Sequence, residues 1–132
     1  MRAIDRVLVS AAAIALTISI AACGGGTALG LEQAPASFDP NSPTVSAIDI
    51  AFDSTDIDVP AGKPFILVFE NRENVDHNVS IYTNVAATER LFEGVIFKGP
   101  ATRWYPVPAL AAGVYVFKCD VHANMTGRLH AA

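Results

Sequence analysis

Turn-forming residues divide the last two thirds of this chain into short apolar runs, and this division limits what the chain can fold into. The triplets PAG at 60–62, KGP at 98–100 and AAG at 111–113 are strong turn signals. The runs between them are rich in β-branched and aromatic residues, and several alternate apolar with polar positions as half-buried strands do. Candidate strands cover residues 45–52, 63–70, 77–83, 94–97, 102–107, 113–119 and 126–130. Seven or eight short strands in about 90 residues predict an all-β sandwich.

Helical signals are weak throughout this part of the chain. Residues 86–91 form the only stretch there without strand signals, so we expect at most one short helix, at that place. Asp53, Asp56 and Asp58 are predicted to lie in a solvated turn, with an acidic docking patch as the alternative.

Residues 1–22 have the pattern of a secretory signal peptide and are excluded from the folded domain. Arg2 and Arg6 precede an apolar run from Val7 to Ile20 that ends in small residues. The 16 residues of segment 7–22 are fewer than the roughly 20 that a membrane-spanning helix needs. We therefore expect an exported protein whose leader is removed, with a permanent transmembrane anchor as the alternative.

The sequence IAAC at 20–23 resembles a bacterial lipobox, with isoleucine in place of leucine at its first position. The resemblance implies that Cys23 is diacylated and becomes the first residue of the mature protein. Acyl chains anchor a protein by burying methylenes at about 0.8 kcal/mol each. We expect a lipid-tethered protein on the periplasmic or extracellular face of a membrane. The alternative is an ordinary secretory signal in which Cys23 is incidental.

The segment after Cys23 is rich in Gly, Ala, Pro and Ser, which is typical of a flexible tether. The predicted organisation is a signal peptide at 1–22, a lipidated cysteine with its tether at 23–43, and a folded domain at 44–132. Removal of the leader from the 132-residue chain leaves 110 residues, which is enough for one domain.

The charge of the chain bounds its partners. The full chain carries −4, and the leader contains Arg2, Arg6 and Asp5, so the mature chain carries −5. A modest negative charge opposes binding to nucleic acid and is ordinary for a freely soluble domain. We expect no nucleic-acid partner and a monomer.

Three residues with metal-binding side chains fall within seven positions, at Cys119, His122 and Met125. A thiolate, an imidazole and a thioether suit a metal that cycles between Cu(I) and Cu(II). A trigonal copper site also needs a second imidazole, and His77, at the start of a predicted strand, is the obvious source. If Cys23 carries lipid, Cys119 has no disulfide partner in the chain. Zinc would accept the thiolate and imidazoles, but the methionine favours copper.

This pattern resembles the cupredoxins, the blue-copper family of plastocyanin, azurin and amicyanin. The spacing Cys-x-x-His-x-x-Met is most like the short ligand loop of amicyanin. The likeness extends over most of residues 45–129, through segments 76–79, 99–100 and 112–122. It implies a Greek-key β-sandwich that holds one type 1 copper ion. His77, Cys119 and His122 would be the equatorial ligands and Met125 the long axial ligand.

Asn78 matches the asparagine that follows the first histidine ligand in many members of that family. By this resemblance, its amide is expected to hydrogen-bond the thiolate or to connect the two ligand loops.

The resemblance implies an electron carrier and not an enzyme. Copper oxidases and nitrite reductases need additional histidines for a catalytic copper, and this chain has only His77, His122 and His130. A dinuclear copper centre needs a second cysteine in the ligand loop, which the sequence does not provide. His130, two residues from the end, is expected to be exposed and to take no part in metal binding.

The implied partners are redox proteins such as a c-type cytochrome or a respiratory complex. His122 would be the electron port, framed by small or apolar residues such as Val121, Ala123 and Pro100. The alternative is a copper carrier, chaperone or sensor that delivers copper to a respiratory oxidase. Copper-transfer proteins expose several methionines or histidines, whereas the mature chain has the single methionine Met125. This difference favours electron transfer.

Overall fold

The structure is a computed structural model, and it describes residues 27–132. This part of the chain contains eleven strands and no helix. The strands are β1 (Thr44–Ile48), β2 (Ala51–Phe52), β3 (Asp56–Val59), β4 (Phe65–Asn71), β5 (Asp76–His77), β6 (Ser80–Tyr82), β7 (Arg90–Glu93), β8 (Phe97–Lys98), β9 (Ala101–Val107), β10 (Gly113–Lys118) and β11 (Thr126–Ala131). The predicted all-β architecture is confirmed.

Nine of these strands form two sheets. One sheet has the order β2-β1-β4-β9 and the other the order β3-β11-β10-β6-β7, while β5 and β8 form a separate two-stranded ribbon. Strands β1 and β4 are parallel, as are β3 and β11, and the other pairs are antiparallel. Strands that are distant in the chain therefore lie side by side, which brings the ends of separate loops together.

The core lies between the two sheets and is rich in aromatic side chains. Phe69 on β4 stacks on Tyr105 of β9, with ring centroids 5.9 Å apart. Phe52 packs against Phe117 of the opposite sheet at 5.2 Å. Each fully buried aromatic side chain of this kind contributes about 1.5–3 kcal/mol through removal of apolar surface from water. This core fixes the framework from which the loops project.

Residues 86–91, where at most one short helix was expected, form none, because β7 begins at Arg90 and pairs with β6 in a hairpin that the Thr83–Glu89 backbone hydrogen bond closes. One local prediction was wrong. Asp56 and Asp58 lie in strand β3 and not in a turn. They point outward while Ile57 and Val59 are buried, and pairing with β11 stabilises this short strand.

The part of the predicted tether that the structure describes contacts the domain. Leu29 hydrogen-bonds the backbone of Glu93 and Val95, next to the edge strand β7. Leu31 exchanges two backbone hydrogen bonds with Trp104 of the other edge strand, β9. Residues 29–31 therefore connect the edge strands β7 and β9 of the two sheets. The lipidation predicted for Cys23 lies outside the described residues.

Two structural units meet at one end of the sandwich. One is the β5–β8 ribbon, which carries His77, and the other is the hairpin of β10 and β11, whose loop spans residues 119–125.

Within residues 27–132, we find no helix with the length and hydropathy needed to cross a bilayer.

Candidate metal centre

His77 is held by the β5–β8 ribbon, where it pairs with Phe97, and its side chain is fully buried. The preceding loop is fixed by the buried amide of Asn71, which donates to the carbonyls of Val75 and Phe97 at 2.8 Å each. Gly99 lies tightly against this loop, because a Cβ atom there would collide with the carbonyl of Asn71. The scaffold therefore leaves the imidazole little freedom of position.

The other predicted ligands lie on the loop between β10 and β11. The last pair of this hairpin is Lys118 with Thr126, so the seven residues 119–125 form the connection. Within it, the Cys119 amide donates to the Met125 carbonyl at 2.9 Å, and the Met125 amide donates to the His122 carbonyl at 3.0 Å. These bonds fold the loop back on itself and place all three side chains near its base.

The structure brings three of the four predicted ligands into one cluster. The Cys119 Sγ lies 3.8 Å from Nδ1 of His77 and 3.7 Å from Nδ1 of His122. The three potential ligand atoms all lie within 4.8 Å of one another. The two imidazole rings are 4.6 Å apart and inclined by 45°. Met125 is 1% exposed and, like Cys119, belongs to the hydrophobic core.

This donor set fits a single copper ion. Two imidazoles and one thiolate at these separations match the trigonal set of a type 1 site, with a thioether available as the weak fourth ligand. Cys119 is a free thiol with no exposed surface, so the structure protects it from solvent-borne oxidants.

Asn78 connects the ligand loop to the His77 side of the site. Its Oδ1 accepts a hydrogen bond from the Asp120 amide at 2.8 Å, and its Nδ2 donates to the Asp120 carboxylate at 2.8 Å. The same Nδ2 donates to the Gly94 carbonyl at 2.9 Å and lies 3.2 Å from Ser80 Oγ. The side chain thus hydrogen-bonds Asp120, the residue after Cys119. Of the two roles expected of Asn78, it has the second, which is to connect the two ligand loops.

Asp120 was not predicted from the sequence as part of the site. Besides Asn78, its carboxylate accepts hydrogen bonds from the hydroxyls of Ser80 and Tyr82, at 2.5 and 2.6 Å. Burial raises the pKa of Asp120, but the bonds from Ser80, Tyr82 and Asn78 outweigh it, so this pKa lies below its ordinary value. Burial and the Asp120 hydrogen bond raise the pKa of Tyr82. A charged carboxylate therefore secures the ligand loop to β6.

Glu73 is the second residue that sequence reasoning missed. Its Oε2 lies 2.7 Å from Nε2 of His77, the ring nitrogen opposite the one that faces Cys119. Burial raises the pKa of Glu73, but hydrogen bonds from His77 and from the Ile50 amide outweigh it and lower the pKa overall. The signal available in the sequence was only the spacing of four between Glu73 and His77.

Exposed apolar residues flank His122, the one partly exposed residue of the donor cluster, along its loop. Val121 on the same loop is 45% exposed, and Ile96 beside the β5–β8 ribbon is 47% exposed. Ala123 and Pro100 are also exposed. His130 lies apart from the donor cluster on β11, where its Nε2 is 3.3 Å from Asp56.

Solved structures of amicyanin and of auracyanins share this fold. Amicyanin from Paracoccus versutus superposes with a TM-score of 0.56 at 18% identity, over 75% of this chain and 89% of that chain. Auracyanin A from Chloroflexus aurantiacus, described as a "blue" copper protein, gives a TM-score of 0.59 at 23% identity, over 67% and 96%. Auracyanin from Roseiflexus castenholzii gives a TM-score of 0.56 at 23% identity, over 67% of this chain and 94% of that chain.

Among curated proteins, none matches this chain significantly. A family model, the cupredoxin-like domain, matches residues 11–131, which is nearly the whole chain. The predicted resemblance is confirmed at the level of family and fold. The chain therefore belongs to the cupredoxin-like domain family.

Proposed function

We propose that this protein is a mononuclear type 1 copper electron carrier. The observation that carries the proposal is the clustering of the Cys119 thiol with the two imidazoles, whose Nδ1 atoms lie 3.8 Å (His77) and 3.7 Å (His122) from Sγ. Bound at such a set, copper supplies a one-electron couple between Cu(I) and Cu(II). One of the related structures named above, auracyanin A, is described as a "blue" copper protein, which supports the same function here.

The protein's own residues would keep the site rigid during electron transfer. His77 and Cys119 are fully buried, and the hydrogen bonds of Asn78 and Asp120 limit movement of the loop. Ligands that are held still need little rearrangement when the charge of the metal changes. The His122 ring, between the exposed residues Val121 and Ala123, is the route by which a partner's electron would enter or leave. A small, transient interface suits such a partner, for which we propose a c-type cytochrome or a respiratory complex.

A lipid anchor on Cys23 would hold the carrier at the outer face of a membrane. The support is the lipobox-like sequence that follows a signal-peptide pattern. The test is metabolic labelling with a fatty-acid analogue in a bacterial host. The wild-type chain is expected to be labelled and to fractionate with membranes. Cys23→Ser is expected to lose both properties, and an unlabelled wild-type chain would contradict the anchor.

A copper-delivering protein is the second candidate, and the burial of the site opposes it. Transfer of Cu(I) to an acceptor requires access to the ligands, whereas His77, Cys119 and Met125 are each at most 1% exposed. The candidates differ in a measurable way. An electron carrier gives a reversible one-electron couple and retains copper beside a competing Cu(I) chelator, whereas a delivery protein releases it.

Copper reconstitution tests the proposed function directly. Purified protein loaded with Cu(II) is expected to show an intense thiolate-to-copper charge-transfer band and narrow copper hyperfine splitting. Cys119→Ser is expected to abolish both signals. His130→Gln, which alters the histidine outside the cluster, is the matched control and should retain them. A wild-type protein that stays colourless, or that binds only zinc, would refute the proposal.

A further inference from the structure

The carboxylate of Glu73 lies between His77 and a turn that is distant in the sequence. On one side its Oε2 lies 2.7 Å from Nε2 of His77. On the other side the Ile50 amide donates to its two oxygens, at 3.1 and 3.3 Å. The Glu73 side chain is 17% exposed and the His77 side chain is fully buried, so the pair is largely shielded from water. Shielding strengthens hydrogen bonds to a charged acceptor.

The turn that supplies the Ile50 amide has an unfavourable backbone. Asp49 and Ile50 connect β1 to β2 as a two-residue hairpin loop, since Ile48 pairs with Ala51. Their φ angles are 53° and 54°, as a type I′ turn requires, and such turns strongly prefer glycine at the second position. A β-branched residue at positive φ is an outlier. Because Ile50 is 50% exposed, packing of its side chain does little to offset this strain.

The contact to Glu73 decides which nitrogen of His77 is free. A neutral imidazole has one N–H donor and one bare acceptor nitrogen. A carboxylate beside Nε2 accepts the Nε2–H bond and so leaves Nδ1 bare. Nδ1 is the nitrogen that lies 3.8 Å from Cys119 Sγ. The tautomer that Glu73 favours is therefore the one that a metal at this cluster needs.

We propose that Glu73, held by the Ile50 amide, is a positioning residue that fixes the metal-binding tautomer and the ring orientation of His77. The inference rests on the proposed copper function and goes beyond it, because it assigns a role to a carboxylate and a turn that are not ligands. The charge of Glu73 also stabilises the more positive state of a metal held by His77. Loss of that charge is therefore expected to raise the reduction potential.

The first test needs no copper. In the metal-free protein at a pH of about 8, where an ordinary imidazole is neutral, ring ¹⁵N chemical shifts report the tautomer of each histidine. Wild type is expected to show His77 entirely with Nε2–H and a slowly exchanging Ile50 amide. Glu73→Gln is expected to give a mixed tautomer and a faster exchange at Ile50. Unchanged shifts at His77 in Glu73→Gln would overturn the inference.

The second test measures the reduction potential of the copper-loaded protein. Glu73→Gln is expected to raise it, and Glu73→Asp, which keeps the charge on a shorter side chain, to restore it toward the wild-type value. Glu70→Gln is the matched control, because this nearby carboxylate bonds Arg72 and Ser46 instead of a ligand. Equal potentials in wild type and Glu73→Gln would overturn the inference.

The two proposals fail in distinguishable ways. A wild-type protein without a charge-transfer band refutes the copper function, whereas the tautomer measurement on metal-free protein judges Glu73 by itself. If Glu73→Gln does not fold, Glu73→Asp carries the test. The shorter side chain cannot reach both His77 and Ile50 as Glu73 does, so faster exchange of the Ile50 amide is expected. Wild-type exchange in that variant would contradict the proposal.

Discussion

The two sides of the metal centre are held in different ways. His77 comes from a two-residue strand, is buried in the framework, and depends on contacts from Glu73 and the distant β1–β2 turn. The other three predicted ligands share one seven-residue loop, whose position depends on its length and on two internal hydrogen bonds. The framework therefore sets the first ligand, and local chain geometry sets the others.

Each side also has its own carboxylate, and the two act on different groups. Glu73 contacts the ring of a ligand, whereas Asp120 contacts Ser80, Tyr82 and Asn78 and so secures the backbone next to Cys119. A ligand on a rigid strand therefore needs its side chain oriented, whereas ligands on a loop need the loop itself secured. The predictions that follow test this division.

The largest effect is expected from a change in loop length. Insertion of one glycine between Ala123 and Asn124 would separate the Met125 amide from the His122 carbonyl and displace the buried Met125 side chain. Loss of Met125 burial alone costs about 1.5–3 kcal/mol. We expect the charge-transfer band to be lost or strongly weakened and the metal-free protein to unfold at lower denaturant concentration.

The matched control is the same insertion between Val85 and Ala86, in the exposed turn of the β6–β7 hairpin. Exposed turns tolerate insertions, so the visible spectrum should remain that of wild type. If the insertion at 123–124 also left the spectrum unchanged, loop length would not be what places these ligands.

The next effect concerns Asn78, the side chain that joins the two sides. Asn78→Ala removes the partners of the Asp120 amide and of the Gly94 carbonyl. Each buried polar group left without a partner costs about 1–3 kcal/mol, so we expect a loss of about 3 kcal/mol in the free energy of unfolding. Urea unfolding of the metal-free protein measures it. Asn84→Ala, in an exposed turn, is the control, and an equal loss in both variants would contradict a joining role for Asn78.

The sequence predicted the candidate ligands better than it predicted what holds them. Cys119, His122 and Met125 are close in the chain, so their spacing alone defines a local donor set. Glu73 and Asp120 carry no such signal. The partners of Asp120 lie 38–42 positions upstream, and Glu73 meets Ile50 only because β1 pairs with β4. Contacts set by strand pairing cannot be read from residue spacing.

The same limit applies to the fold. Alternating apolar runs and turn signals were enough to predict an all-β sandwich, because each is a local property. Strand β3 was missed, since its four residues are stabilised by parallel pairing with β11 at the other end of the chain. The backbone bonds of Leu29 and Leu31 to the sheet edges were also missed, because composition alone describes residues 24–43 as a tether.

A smaller effect, of opposite sign, is expected at the β1–β2 turn. Ile50→Gly keeps the backbone amide that contacts Glu73 and removes the strain of a β-branched residue at φ 54°. We expect the free energy of unfolding to rise by about 1 kcal/mol, since strain of this kind costs about 1–3 kcal/mol and glycine returns part of it as chain entropy. Ile48→Gly, at the end of β1, is the control and should destabilise. A less stable Ile50→Gly protein would show that the turn is unstrained.

The smallest effect belongs to Asp56, a carboxylate outside both sides of the site. Hydrogen bonds from His130 and Arg128 lower its pKa below the ordinary value. A lowered pKa in the folded state means that the ionised group stabilises the fold above the unfolded pKa of about 3.9, and that this contribution is lost as the pH falls through the folded value. Asp56→Asn should therefore be slightly less stable than wild type at neutral pH and equal to it in acid. Urea unfolding of the metal-free protein over a pH series measures this difference, with Asp58→Asn on the same strand as control. A stability difference that persists in acid would contradict this electrostatic account and would mean that Asp56 stabilises the fold through packing. In that case Asp56 would differ from Glu73 and Asp120 in how it acts, and not only in its greater exposure to water.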